Sequence, residues 1–169
     1  MASKKSVFKK GLFLFAVMGM VYINLEVITR ALRMDLEYAG FKDLKVYSLA
    51  GWTSLWMFPV GGLCGLLIGL LNQKKKMHMA LMSLFGTLII FSIELLSGLF
   101  FNTLLGMNIW HYEHFDILGQ VSLIYLIPWY FISPFAMWLD DALRFLIADE
   151  AKPSPLFQYY LNVFRKKQL

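Results

Sequence analysis

Charge is scarce in this chain: Asp, Glu, Lys and Arg make up 16% of 169 residues, while 59% are hydrophobic and 17% aromatic. A soluble domain of this size cannot hide so much apolar surface, so a water-soluble fold is excluded and a bilayer becomes the natural solvent. Cysteine is reduced to Cys64, inside an apolar run. No internal disulfide can form, the redox compartment stays unreadable, and the thiol reads as helix-packing filler. Equally absent are a G-x-x-x-x-G-K-[ST] loop, a G-x-S-x-G elbow and an H-E-x-x-H pair. Nucleotide hydrolysis, serine hydrolysis and zincin chemistry therefore lack support, no cofactor or metal is implied, and the chain reads as a non-enzyme.

What is present is a set of apolar runs. Crossing the hydrocarbon takes about 20 mostly apolar residues as a helix. The runs Gly11–Leu32, Leu49–Leu71, Met77–Leu105 and Ile117–Leu139 predict an all-α polytopic membrane protein with four transmembrane helices. Pro128 and Pro134 are expected to kink the last one. Lysines precede the first run, but no A-x-A-type cleavage site follows it, so it is read as a retained span rather than a signal peptide. The loop Met34–Ser48 mixes charged and apolar residues and is expected to lie partly on the membrane surface. The stretch Pro155–Lys167 is apolar and then basic, the pattern of an interfacial amphipathic helix.

The net charge of +5 would suggest nucleic acid in a soluble protein, but these basic residues flank apolar runs and act as topological anchors. Twelve of the sixteen Lys and Arg lie before the first run, at Lys74–Lys76 or after the fourth run. The positive-inside rule thus predicts a multi-pass protein of the cell membrane with both termini cytoplasmic.

An internal repeat organises the runs. At an offset of 68, Glu26 falls on Glu94, Thr29 on Ser97, Gly51 on Gly119, Ser54 on Ser122 and Leu55 on Leu123. Residues 1–72 and 73–140 then form two tandem parallel two-helix repeats related by an axis along the membrane normal, with 141–169 as a cytoplasmic or interfacial tail.

Glu26 and Glu94 lie inside apolar runs, where an ionisable group costs about 3 kcal/mol and faces the bundle interior. Arg30 stands four residues after Glu26, the spacing at which acid and base share a helix face. The corresponding position in the second half is Gly98. Two arrangements follow: Arg30 sits between both carboxylates, or Glu94 carries a proton because burial disfavours its charged form. Glu26, Arg30, Glu94 and Asn102 are the candidate intramembrane polar site. Trp110, His111, Tyr112 and Asp116 are its candidate outer mouth, with an aromatic belt as the plainer reading. His111, Glu113, His114 and Asp116 carry metal-ligating atoms, but the run lacks a recognisable ligand spacing. Gly19, Gly62, Gly65, Gly69 and Gly98 permit close helix approach.

The stretches Ser54–Leu63, Glu94–Gly98, Leu105–Tyr112 and Leu118–Leu123 resemble the CmpB-type family of ABC-transporter type IV, permease-like membrane proteins, over about residues 20–140. His111 stands where the family pattern has Asp, and Asp116 where it has Asn. The resemblance implies a permease that works with a separate ATPase subunit. The leading expectation is a small transporter or permease-like subunit contacting membrane lipid, completed by homo-oligomerisation or by a partner membrane subunit or ATPase. The alternatives are a non-transporting scaffold whose glutamates glue helices together and a lipid-acting enzyme, which would need a nucleophile with its base.

Overall fold

The computed structural model describes residues 4–33, 50–74, 77–148 and 150–165. The surface-loop expectation for Met34–Ser48 and the anchors Lys75, Lys76, Lys166 and Lys167 fall outside them. The elements in order are α1 (Lys4–Arg33), α2 (Met57–Asn72), α3 (Met79–Gly98), a π-helical segment (Leu99–Leu104), β1 (Asp116–Ile117), β2 (Val121–Ser122), a 3-10 turn (Leu123–Tyr125), α4 (Leu126–Ala148) and α5 (Leu156–Phe164). Among the described residues three helices are long and apolar enough to cross a membrane: Phe8–Leu32, Met79–Leu104 and Leu123–Ile147.

The side-chain distribution is that of a protein with lipid outside. On α3, Leu81, Leu84, Phe85, Leu88 and Leu96 are exposed, whereas Ser83, Gly86, Thr87, Glu94 and Gly98 are buried. Helices in lipid gain little by hiding leucine and associate through small and polar residues instead. Contacts at the glycines follow that logic. A Cβ on Gly65 would stand 2.3 Å from Met18 Cβ, and one on Gly86 would stand 2.5 Å from Ser133 Oγ. Thus α1 lies close on α2 and α3 close on α4, the two most extensive helix pairings.

The second run departs from expectation. It is helical only from Met57, and α2 has 16 residues, about 24 Å at 1.5 Å per residue against about 30 Å of hydrocarbon. Residues 50–56 are drawn off the helix by α1. The Thr53 hydroxyl donates to Glu26, the Trp52 ring lies 3.8 Å beneath the Arg30 guanidinium, and Gly51 abuts the Val27 carbonyl.

The fourth run also shifts. Residues 116–122 form a hairpin with Asp116 opposite Ser122 and Ile117 opposite Val121. Its turn residues, Leu118 and Gly119, have φ of 56° and 70°, the left-handed pair of a type I′ turn. Helix α4 therefore starts at Leu126 and runs past Leu139 to Ala148, so Asp141 and Arg144, expected in a tail, lie on this helix beside Asp140. Pro128 sits in its first turn, where no amide is needed. Pro134 is interior; neighbouring carbonyls on Trp129 and Phe131 accept from the Ser133 and Tyr160 hydroxyls, each at 2.9 Å. Helix α5 has nine residues, too few to cross, and turns Tyr159 and Val163 toward α3 and α4.

Candidate functional site

A cavity of about 650 Å³ lies within the bundle, inside the size range of pockets that take drug-sized ligands. Its walls are regular helix faces: Met18, Tyr22, Glu26 and Arg30 on α1, Gly61, Cys64 and Ile68 on α2, Ile90 and Glu94 on α3, and Trp129, Ile132, Ala136 and Leu139 on α4. These spacings of three and four residues place each set on one side of its helix. At the end of the bundle that holds Asn72 and Asp140, Leu14 and Met18 of α1 pack on Leu143 of α4. Toward the hairpin, α1 and α4 are separated by the cavity. Along α1 the lining runs from Met18 to Arg30, about 18 Å at 1.5 Å per residue.

The lining is polar at one end only. Glu26, Thr29, Arg30, Glu94, His111 and Tyr112 gather toward the hairpin, while Met18, Ile68, Ile90, Ala136 and Leu139 form the opposite end. The two carboxylates are held differently. Glu26 Oε1 accepts from Arg30 Nη2 at 2.7 Å and Nε at 3.2 Å, and Oε2 accepts from Thr53. Glu94 is 4% exposed. Its Oε1 accepts from the Tyr112 hydroxyl at 2.8 Å, and its Oε2 is buried with no hydrogen-bond partner among the described residues. Arg30 thus serves Glu26 and Trp52 rather than bridging both carboxylates. Gln120 fills the space that Gly98 leaves, 2.7 Å from where a Cβ would stand.

Tyr112 reaches Glu94 because residues 105–122 fold back over the bundle. Asn102, on the π-helical segment, donates to the Trp110 carbonyl and to Gln120 Oε1, both at 2.9 Å, and accepts from the Ile109 amide at 2.7 Å. The Trp110 indole donates to the Gln120 carbonyl at 2.8 Å, and the Tyr112 amide donates to the Gly119 carbonyl at 2.9 Å. Asn102, expected in the polar site, is instead the clamp of this lid: it does not line the cavity, and all three of its bonds point into the loop. Asp116, expected at the mouth, is exposed and accepts from the Gly119 amide at 2.6 Å, closing the hairpin turn. Trp110, His111 and Tyr112 do line the cavity. Among the described residues no three His, Cys, Asp or Glu side chains converge as metal ligands.

Several contributing residues were not singled out from sequence. Tyr125 and Trp129 continue an aromatic row from Tyr112, with centroids 5.4 Å and then 6.0 Å apart. A second polar cluster joins Asn72, Asp140, Asp141, Arg144 and Tyr159. Asn72 Nδ2 donates to Asp141 at 2.9 Å, Arg144 Nε donates to Asp140 at 2.9 Å and the Tyr159 hydroxyl donates to Asp141 at 2.5 Å. Burial, and then Asp141 and Asp140, push the Tyr159 phenol above its ordinary range. Asn72 and Asp140 are 68 residues apart, the spacing of Glu26 and Glu94, which is the one sequence signal that marks them.

No family model, no curated protein and no solved structure matches this chain.

Proposed function

We propose that this chain is a small multi-pass membrane protein with a permease-like role, in which four helices form two tandem two-helix repeats around the polar site. The observation that carries the proposal is the cavity itself, a chamber between helices with a buried, half-satisfied carboxyl at Glu94. Ionisable groups in that setting mark pathways and binding sites in membrane proteins. The resemblance to CmpB-type permeases points the same way.

Contacts that recur at the 68-residue spacing support the repeat. Gly65 lies on Met18 and Ser133 on Gly86; Gly69 lies on Asp140 and Asn72 donates to the Met137 carbonyl; Arg30 lies on Trp52 and Gln120 on Gly98. Asn72 and Asp140 also touch each other, as equivalent residues do only near a twofold axis. In this reading residues 50–56 and α2 together complete the fourth crossing, and the Lys and Arg distribution places both termini in the cytoplasm. A bundle of four helices is thin for a conduit, so a second copy, a partner membrane subunit or an ATPase would complete the path.

The alternative is a non-transporting scaffold. Glu26, bonded through both oxygens to Arg30 and Thr53, is what a helix staple looks like. Reconstitution of the full chain into liposomes, with a solute panel holding cations, anions and neutral species, separates the two. Transport is supported if one solute moves and Glu94→Gln abolishes that flux while the chain still assembles. If nothing moves in the wild type and Glu94→Gln or Glu26→Gln disrupts assembly, the scaffold reading replaces it.

A further inference from the structure

Among the described residues three formally charged side chains, Glu26, Arg30 and Glu94, line the cavity, and two of the charges cancel. Arg30 stands 2.7 Å from Glu26, whereas Glu94 makes no ion pair among the described residues. One end of its carboxyl is tied to the Tyr112 hydroxyl, and the other, Oε2, is buried in the cavity wall with no hydrogen-bond partner among the described residues. Tyr112 begins the aromatic row that continues through Tyr125 and Trp129. Beyond this polar end the walls are hydrocarbon, over much of the cavity's length of about 18 Å. An anionic ligand would have to draw Arg30 away from Glu26 and Trp52, and would still face Glu94. A cation meets the opposite situation, since aromatic faces attract organic cations and do so more strongly where water is excluded.

We propose that the cavity binds an apolar organic cation, with its ammonium-type head between Glu94 and the Tyr112–Tyr125–Trp129 row and its hydrocarbon body against Met18, Ile90, Ala136 and Leu139. The proposal rests on the reading of the cavity as a binding site and names the ligand chemistry of that site. The cationic head is supplied either by a free lipophilic cation or by the amine of a membrane lipid.

The test is equilibrium binding of radiolabelled tetraphenylphosphonium to the full chain in dodecyl maltoside, a micelle without ammonium groups. Binding is counted as the part displaced by excess unlabelled compound. The wild type is expected to bind it saturably, and tetraphenylborate, of the same shape and opposite charge, is expected not to compete. Glu94→Gln is expected to weaken binding by about tenfold or more, which corresponds to about 1.4 kcal/mol. Glu113→Gln makes the same charge change on an exposed residue outside the cavity and is expected to bind like the wild type. The proposal is overturned if tetraphenylphosphonium does not bind saturably, if tetraphenylborate competes equally, or if folded Glu94→Gln binds unchanged. The comparison of the two probes decides on the wild type alone should Glu94→Gln not fold.

Added phosphatidylethanolamine and phosphatidylglycerol then separate the sources. Displacement by the amine lipid alone identifies a lipid headgroup, displacement by neither identifies a free cation, and equal displacement by both overturns the proposal. Phosphonium binding without flux of any panel solute sinks the permease reading and leaves the ligand class. Flux of an anionic or neutral solute without saturable phosphonium binding does the reverse.

Discussion

Replacing Asn102 by alanine is expected to loosen the lid over the cavity without loosening the helices beneath it. The side chain is 8% exposed and makes three hydrogen bonds, to the Ile109 amide, the Trp110 carbonyl and Gln120 Oε1. Alanine leaves all three groups unpaired in a mostly buried place, at about 1 kcal/mol each by the low end of the usual cost. The sum, about 3 kcal/mol, is a little over a hundredfold in an opening equilibrium. Three of the lid's remaining bonds are internal to it, Trp110 indole to Gln120, Tyr112 amide to Gly119 and Ser122 hydroxyl to His114, while the Tyr112 hydroxyl to Glu94 and the Met107 amide to the Phe101 carbonyl still tie it to the helices and must open with it. The loop should therefore lift as a unit. Hydrogen exchange on the full chain in nanodiscs reads this directly. Amides of Ile109, Tyr112 and Gln120 should exchange about a hundredfold faster, while those of Ser83–Ile90 on α3 stay as in the wild type. Asn102→Asp keeps an acceptor for the Ile109 amide but turns a second oxygen toward two acceptors, so it should protect the lid no better than alanine. Unchanged exchange in the lid, or equal acceleration in lid and α3, would refute the idea of a locally anchored lid.

Asp140→Asn removes the buried partner of Arg144, leaving that guanidinium mainly with Glu150 at 3.9 Å. Breaking a buried pair from one side costs about 3 kcal/mol or more, measurable as a shift in denaturant unfolding in mixed micelles. At Gly65, where a Cβ would meet Met18 Cβ at 2.3 Å, leucine should cost about 1–3 kcal/mol by overpacking. Gly11→Ala, with nothing within 4 Å, should cost nothing, and thermal scans by size exclusion compare the two. The Tyr159 phenol is held above the ordinary value of about 10 by burial and by Asp141, so above that pH the unfolded chain ionises while the folded one does not. The stability present below about pH 10 is thus lost as pH rises beyond it. Tyr159→Phe should flatten that loss in unfolding curves taken from neutral to alkaline pH.

The membrane class and the helix-borne parts of the site were legible because they depend on period and spacing. Apolar length marks α1, α3 and most of α4, and the i,i+4 step from Glu26 to Arg30 marks their pair. The lid was not legible. Its path turns on Asn108, Phe115 and Leu118, all with φ near 50°, a conformation for which phenylalanine and leucine carry no local preference. It is imposed by tertiary bonds such as those of Asn102 and Gln120, which in sequence look like ordinary polar residues at the end of a span. The same holds for residues 50–56, kept out of α2 by Glu26 and Arg30 from another helix. The acidic pair Asp140–Asp141 was placed after the fourth apolar run, with the tail beginning at Asp141, for a related reason. Charge after an apolar run normally signals the membrane surface, and partners such as Asn72, Arg144 and Tyr159 make burial of that pair tolerable.

The most consequential feature is a difference between two positions that share the 68-residue spacing. Arg30 neutralises Glu26, but the residue 68 positions after Arg30 is Gly98, and its space is filled by Gln120, which carries no charge. A phenol can hold one oxygen of Glu94 but cannot balance its charge. Had Gly98 been a second arginine, both carboxylates would be stapled and the cavity would carry no net charge. That difference, rather than the shared spacing, is what leaves the Glu94 carboxyl without a charged partner among the described residues, beside Tyr112, where the aromatic row begins.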